Sequence, residues 1–117
     1  MGLSTHVLDT YHGRPAAGMA VSLYATGAGA PTLIRRVELN ADGRNPDGPL
    51  ISNDDLRPGT YRLVFEVAAY FRRQGVALPD PPFLDQVPLD FGIAHADQHY
   101  HVPLVCTPWT YSTYRGS

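Results

Sequence analysis

The sequence predicts an all-β protein, a two-sheet β-sandwich of about eight strands with one short helix. Eleven prolines and eleven glycines in 117 residues interrupt the chain too often for long helices. Between these breaks, apolar residues recur at every second position, the period of a half-buried strand. Only one segment reads as a helix, so many short strands must pack sheet on sheet.

Taken in order, Leu3–Leu8 is the first predicted strand, with Leu3, Thr5 and Val7 on one face and Ser4, His6 and Leu8 on the other. Ala20–Tyr24 is the next. Leu33–Leu39 follows, with Leu33, Val37 and Leu39 sharing a face that Arg35 also occupies. Pro49–Ser52 reads as a short strand. Thr60–Val67 alternates most clearly, Tyr61, Leu63, Phe65 and Val67 opposing Arg62, Val64 and Glu66. Ala68–Gln74 reads as the helix, stopped by Gly75. Val87–Ile93 alternates Val87, Leu89, Phe91 and Ile93 with polar or small residues, and Pro88 marks an edge or a strand start. Gln98–Thr107 places Tyr100, Val102, Leu104 and Cys106 opposite His99, His101, Pro103 and Val105, and Thr110–Tyr114 closes the set. Gly13-Arg14-Pro15, Gly27-Ala28-Gly29, Asp42-Gly43, Asp47-Gly48-Pro49 and Pro58-Gly59 supply turns.

Length predicts a single domain over residues 1–117. Hydrophobic residues are 44% and charged residues 17%, a composition that builds a core. Nine basic residues against eleven acidic ones give a net charge of −2, which leaves no basic field for nucleic acid. All nine basic residues are arginine, so Schiff-base lysine chemistry is excluded. Cys106 is the one cysteine, without a partner for a disulfide or a CxxC site. No apolar run approaches the ~20 residues of a membrane-spanning helix, and Met1–His6 has neither the basic start nor the apolar stretch of a signal peptide. A cytoplasmic location is expected.

Five histidines, the side chains that titrate near neutrality, are the first candidates for chemistry. His12 and His95 fall in loops, where a surface role is expected. His6, His99 and His101 lie on faces turned from the core. A three-histidine zinc site from these residues is one alternative. No Gly-x-Ser-x-Gly elbow occurs, and Gly27-Ala28-Gly29-Ala30-Pro31 lacks the lysine and helix of a phosphate loop. Cys106 belongs to the core face, where a thiol is inert. Arg44 follows a strand in Asn40-Ala41-Asp42-Gly43-Arg44, and its planar fork suits a flat, oxygen-rich anion. The last nine residues, Trp109 to Ser117, hold three aromatics and an arginine and are expected to dock.

Three well-separated motifs carry a resemblance. Leu3-Ser4-Thr5-His6-Val7-Leu8-Asp9-Thr10 with Gly13-Arg14-Pro15-Ala16, then Asp42-Gly43-Arg44, then His99-Tyr100-His101-Val102-Pro103-Leu104 resemble the transthyretin-like family. The closing Tyr114-Arg115-Gly116-Ser117 is similar to that of its 5-hydroxyisourate hydrolase branch, not to the hormone carriers. The resemblance spans essentially the whole chain. It implies a transthyretin-like β-sandwich of two four-stranded sheets with one short helix, and a homotetramer, a dimer of dimers with active sites in a central channel. It implies hydrolysis of the N1–C6 amide of 5-hydroxyisourate, giving 2-oxo-4-hydroxy-4-carboxy-5-ureidoimidazoline in urate degradation, with no cofactor or metal. Carried over, the catalytic set falls on His6, Arg44 and His101. Substrate contacts fall on His6, Arg44, Tyr114, Arg115 and Ser117, while His99 belongs to the motif with a less defined role. A small-ligand carrier on the same fold is the main alternative, and an adhesion-type sandwich another.

Overall fold

The computed structural model describes residues 2–116. Eight strands and one helix follow each other as β1 (Leu3–Asp9), β2 (Arg14–Pro15), β3 (Ala20–Ala25), β4 (Thr32–Glu38), β5 (Gly59–Glu66), α1 (Val67–Arg73), β6 (Gln86–Ile93), β7 (Tyr100–Cys106) and β8 (Tyr111–Thr113). One sheet runs β2-β1-β7-β8 and the other β4-β3-β5-β6. All neighbours are antiparallel except β1 and β7, which run parallel from Leu3 opposite Tyr100 to Asp9 opposite Cys106.

Alternation decides which face is buried. Leu3, Thr5 and Val7 of β1 pack inward with Tyr100, Val102, Leu104 and Cys106 of β7. They meet Val21 and Leu23 of β3, Tyr61, Leu63 and Phe65 of β5, and Val87 and Leu89 of β6 in one continuous apolar core. The helix adds Val67, Tyr70 and Phe71. It ends as predicted: Gly75 takes φ +85°, its N–H donates to the Arg72 carbonyl, and the Val76 N–H donates to the Phe71 carbonyl at 3.1 Å.

The structure corrects the expected elements in two places. Pro49–Ser52 is no strand; only Ile51 bridges to Leu3, and its place in the first sheet is taken by the two-residue β2. Leu33 does not share a face with Val37. A bulge between Leu23 and Tyr24 skips Ile34, pairs Leu33 with Tyr24, and reverses the alternation, so Leu33 is 53% exposed.

One buried carboxylate ties the helix to the first sheet. Asp9 is fully buried, and its side chain accepts hydrogen bonds from the His12 amide, the His12 ring and the Tyr70 hydroxyl at 2.9, 2.7 and 2.7 Å. Burial alone pushes the carboxyl upward, but these three donors outweigh it and hold it below its usual pKa. The loop histidine His12 thus serves the fold. Among the described residues, no helix is long and apolar enough to cross a membrane.

Candidate active site

The outer face of the β2-β1-β7-β8 sheet collects the polar residues that alternation excludes from the core. The parallel register sets Ser4 beside His101 and His6 beside Pro103, so both histidines face the same way from adjoining strands. Both rings are half-buried.

Because β2 pairs only with Leu8 and Asp9, the first half of β1 has a free edge. The segment after β4 covers it. Leu3 and Val7 donate their amides to the carbonyls of Ile51 and Gly43, both at 3.0 Å, and His6 bridges to Arg44. Asn40 shapes this turn, its side-chain carbonyl accepting from the amides of Asp42 and Arg44 at 2.9 and 3.2 Å. Gly43 is required at its tip. It sits at φ +73°, and a Cβ there would lie 2.5 Å from the Val7 carbonyl oxygen. The turn therefore presses against β1 and brings the Arg44 guanidinium to the His6 ring, Nη2 donating to Nδ1 at 3.5 Å.

The carboxyl-terminal segment closes the other side. β8 pairs with β7, and beyond it the Gly116 amide donates to the His101 carbonyl at 2.7 Å. Gly116 lies so close to the imidazole that an added Cβ would stand 2.7 Å from His101 Cδ2. Arg44, His6, His101 and Gly116 thus follow one another across adjacent backbone segments. Within that row the Ser4 hydroxyl lies 2.8 Å from His101 Nδ1 and 3.4 Å from His99 Nε2, and the rings of His99 and His101 stack 6.4 Å apart.

Both site imidazoles are biased toward the neutral form. Burial lowers the pKa of His6, and the Arg44 charge lowers it further. His101 is lowered by burial, then by Arg44, His6 and His99. A neutral imidazole at neutral pH can accept a proton, and the adjacent guanidinium can bind an anionic, planar group. Cys106, 1% exposed, is pushed up to about 12 by burial and by Asp9, and stays an unreactive thiol.

Not every predicted residue joins this row. Arg115 turns away: its guanidinium sits 4.1 Å over the Tyr100 ring and donates to Gln98 Oε1 and the His99 carbonyl. With Tyr114 it lines a separate cavity of about 300 Å³ between β6 and β8, walled by Leu89, Phe91 and Val102. The tail docks by its backbone, while Trp109, Tyr111 and Tyr114 remain 52%, 42% and 64% exposed. Ser117 lies outside the described residues. Among the described residues, no three His, Cys, Asp or Glu side chains are grouped to hold a metal ion, so His6, His99 and His101 do not form the three-histidine alternative. Ser4 and Asn40 were not among the predicted site residues. Ser4 carried one usable signal, its place on the His6 face of β1.

Comparison with known proteins finds relatives along nearly the whole chain. The 5-hydroxyisourate hydrolase 2 of Rhizobium meliloti (strain 1021) is 58% identical over 115 residues, 98% of this chain and 95% of that protein. A crystal structure of (S)-allantoin synthase matches with a TM-score of 0.93 at 41% identity; the alignment covers 99% of this chain but 43% of that longer one. Sea bream transthyretin in complex with thyroxine matches with a TM-score of 0.85 at 28% identity, over 99% of this chain and 95% of that one. The family model described as HIUase/Transthyretin family matches residues 3–116. With that match and a 58% identical relative over nearly its whole length, the chain belongs to the HIUase/Transthyretin family.

Proposed function

We propose that the chain hydrolyses 5-hydroxyisourate, opening its six-membered ring at the N1–C6 amide with water activated by histidine and without a metal. One observation carries the chemistry: two imidazoles biased toward neutrality and one guanidinium share a single open sheet face. An amide carbonyl is a poor electrophile, so the attacking water must lose a proton as it adds. His6 and His101 hold that water and manage its proton. Arg44 binds the flat, acceptor-rich heterocycle and stabilises the oxyanion that develops at the carbonyl. A carrier for an apolar aromatic ligand needs apolar walls, and this face supplies cationic and hydrogen-bonding ones. Addition of the protein to 5-hydroxyisourate freshly generated from urate is expected to accelerate decay of the intermediate's absorbance, before and after treatment with a chelator. An unchanged decay overturns the reading.

The assembly proposed with it is a homotetramer in the cytoplasm, with facing subunits enclosing the site. Two features support it. The row from Arg44 to Gly116 forms one wall on an open face, and the edge strands β6 and β8 carry an apolar cavity and exposed aromatics between them. Sedimentation is expected to give the mass of four chains, and a monomer with the full rate would remove the need for a second wall.

A further inference from the structure

We propose that Ser4 is a positioning residue for this reaction: its hydroxyl relays a hydrogen bond from His99 to His101 and fixes His101 in the tautomer that presents Nε2–H to the cleft. The inference rests on the hydrolase reading and divides the work of the two histidines within it.

The argument is one of counting protons. A serine hydroxyl has a single proton to donate, and each neutral imidazole has a single N–H. Ser4 Oγ contacts a ring nitrogen of His101 at 2.8 Å and one of His99 at 3.4 Å. A hydroxyl also has two lone pairs and could accept from both rings, but Ser4 Oγ has no other hydrogen-bond partner among the described residues, so its own proton goes to one of them: one ring donates to the hydroxyl and the other accepts from it. The direction is decided at the far side of His99, whose Nδ1 is buried and has no hydrogen-bond partner among the described residues. Were His99 to accept at Nε2, its proton would sit on Nδ1, a buried donor with nothing to receive it. A buried unpaired N–H is the rarer and costlier defect, whereas an unused lone pair is tolerated more often. The proton of His99 therefore sits on Nε2 and points to Ser4, and Ser4 donates to His101 Nδ1. The proton of His101 is left on Nε2.

The other imidazole is set the opposite way. Arginine only donates, so the Arg44 Nη2 contact requires a lone pair on His6 Nδ1. Across the row, His6 offers a lone pair and His101 a proton. His6 is then the base that takes the proton of the attacking water, at Nδ1, once the Arg44 guanidinium turns from the ring to the substrate. His101 donates a hydrogen bond from Nε2 to the oxyanion, and the proton held by His6 passes to the departing ring nitrogen as the C–N bond breaks. Burial, the first cause lowering both pKa values, keeps this neutral arrangement populated.

The test reads tautomers directly. Long-range proton–nitrogen spectra of the histidine-labelled full chain at neutral pH, without substrate, are expected to show Nε2–H for both His99 and His101. Ser4→Ala is expected to shift His101 toward Nδ1–H and to lower kcat about tenfold or more, a share of the roughly 10²–10⁴-fold that acid–base groups supply, with KM changed less than about twofold. Ser4→Thr, which keeps the hydroxyl, recovers most of both effects. An Nδ1–H signal for His101 in the unmodified protein overturns the proposal, and that reading needs no variant to fold. A tautomer shift without loss of kcat, or loss without a shift, overturns it too. Because the spectra need no substrate, an absence of hydrolysis by the unmodified protein would count against the hydrolase reading alone.

Discussion

His6→Ala and His101→Ala each lower kcat by roughly 10²–10⁴-fold, the range general acid–base groups contribute, while circular dichroism and the thermal midpoint stay near those of the parent chain. The fold survives because both rings occupy the outer face of their sheet. The core beneath is built by the alternate residues Thr5, Val7, Val102 and Leu104, which neither substitution touches. The double variant costs little more than the worse single one, because two groups that manage one proton act as a unit. Turnover unchanged in either single variant would remove that histidine from the reaction.

Arg44→Ala costs about a hundredfold in kcat/KM, the loss expected when a donor to a developing oxyanion is removed, on the order of 3 kcal/mol. It also changes the pH profile, and the direction follows from the causes of the shifts. In the unmodified chain, burial first and the Arg44 charge second hold His6 below 6.5, and the same pair leads the causes at His101. Activity therefore persists as pH falls past 6.5 and is lost only as the rings protonate at their depressed values. Without the guanidinium those values rise, and the acid limb moves to higher pH. Arg44→Lys keeps the charge and hence the position of the limb, but recovers only part of the rate, because an ammonium lacks the planar fork. An unmoved limb in Arg44→Ala would mean that burial alone sets both values.

Strands with one buried face were legible in the sequence, because their side chains must alternate to pack. β1, β5, β6 and β7 follow their expected spans to within two residues at either end. Pairing that depends on few bonds was not legible. β2 is two residues long and has no period to detect, and the apolar Leu50-Ile51 is held by its contacts to Leu3 without a ladder. The bulge against Leu23 depends on how two strands meet, which neither strand encodes alone. Within the site, alternation gave the outward face of His6 and His101, and the resemblance gave the role proposed for them. That they stand side by side required the parallel register of β1 and β7, which is set by tertiary packing. Asn40 reads as a turn residue, yet only the coordinates show that its turn carries Arg44 to β1. The direction of Arg115 escaped the sequence for a similar reason: the Tyr100 ring beneath it lies on the opposite face of β7 from His101.

The parallel union of the first and seventh strands has a kinetic meaning. Ser4 and His101 are 97 positions apart, so their contact closes a loop of nearly the entire polypeptide. Such closures are late and slow in folding, because chain entropy is lost before the contact rewards it. A partly synthesised chain holds only one half of the proposed site. Any excursion that peels the amino-terminal strand from its neighbour dismantles the same site. Hydrogen exchange of the amides in this pair should then track global unfolding more closely than any loop of the molecule does.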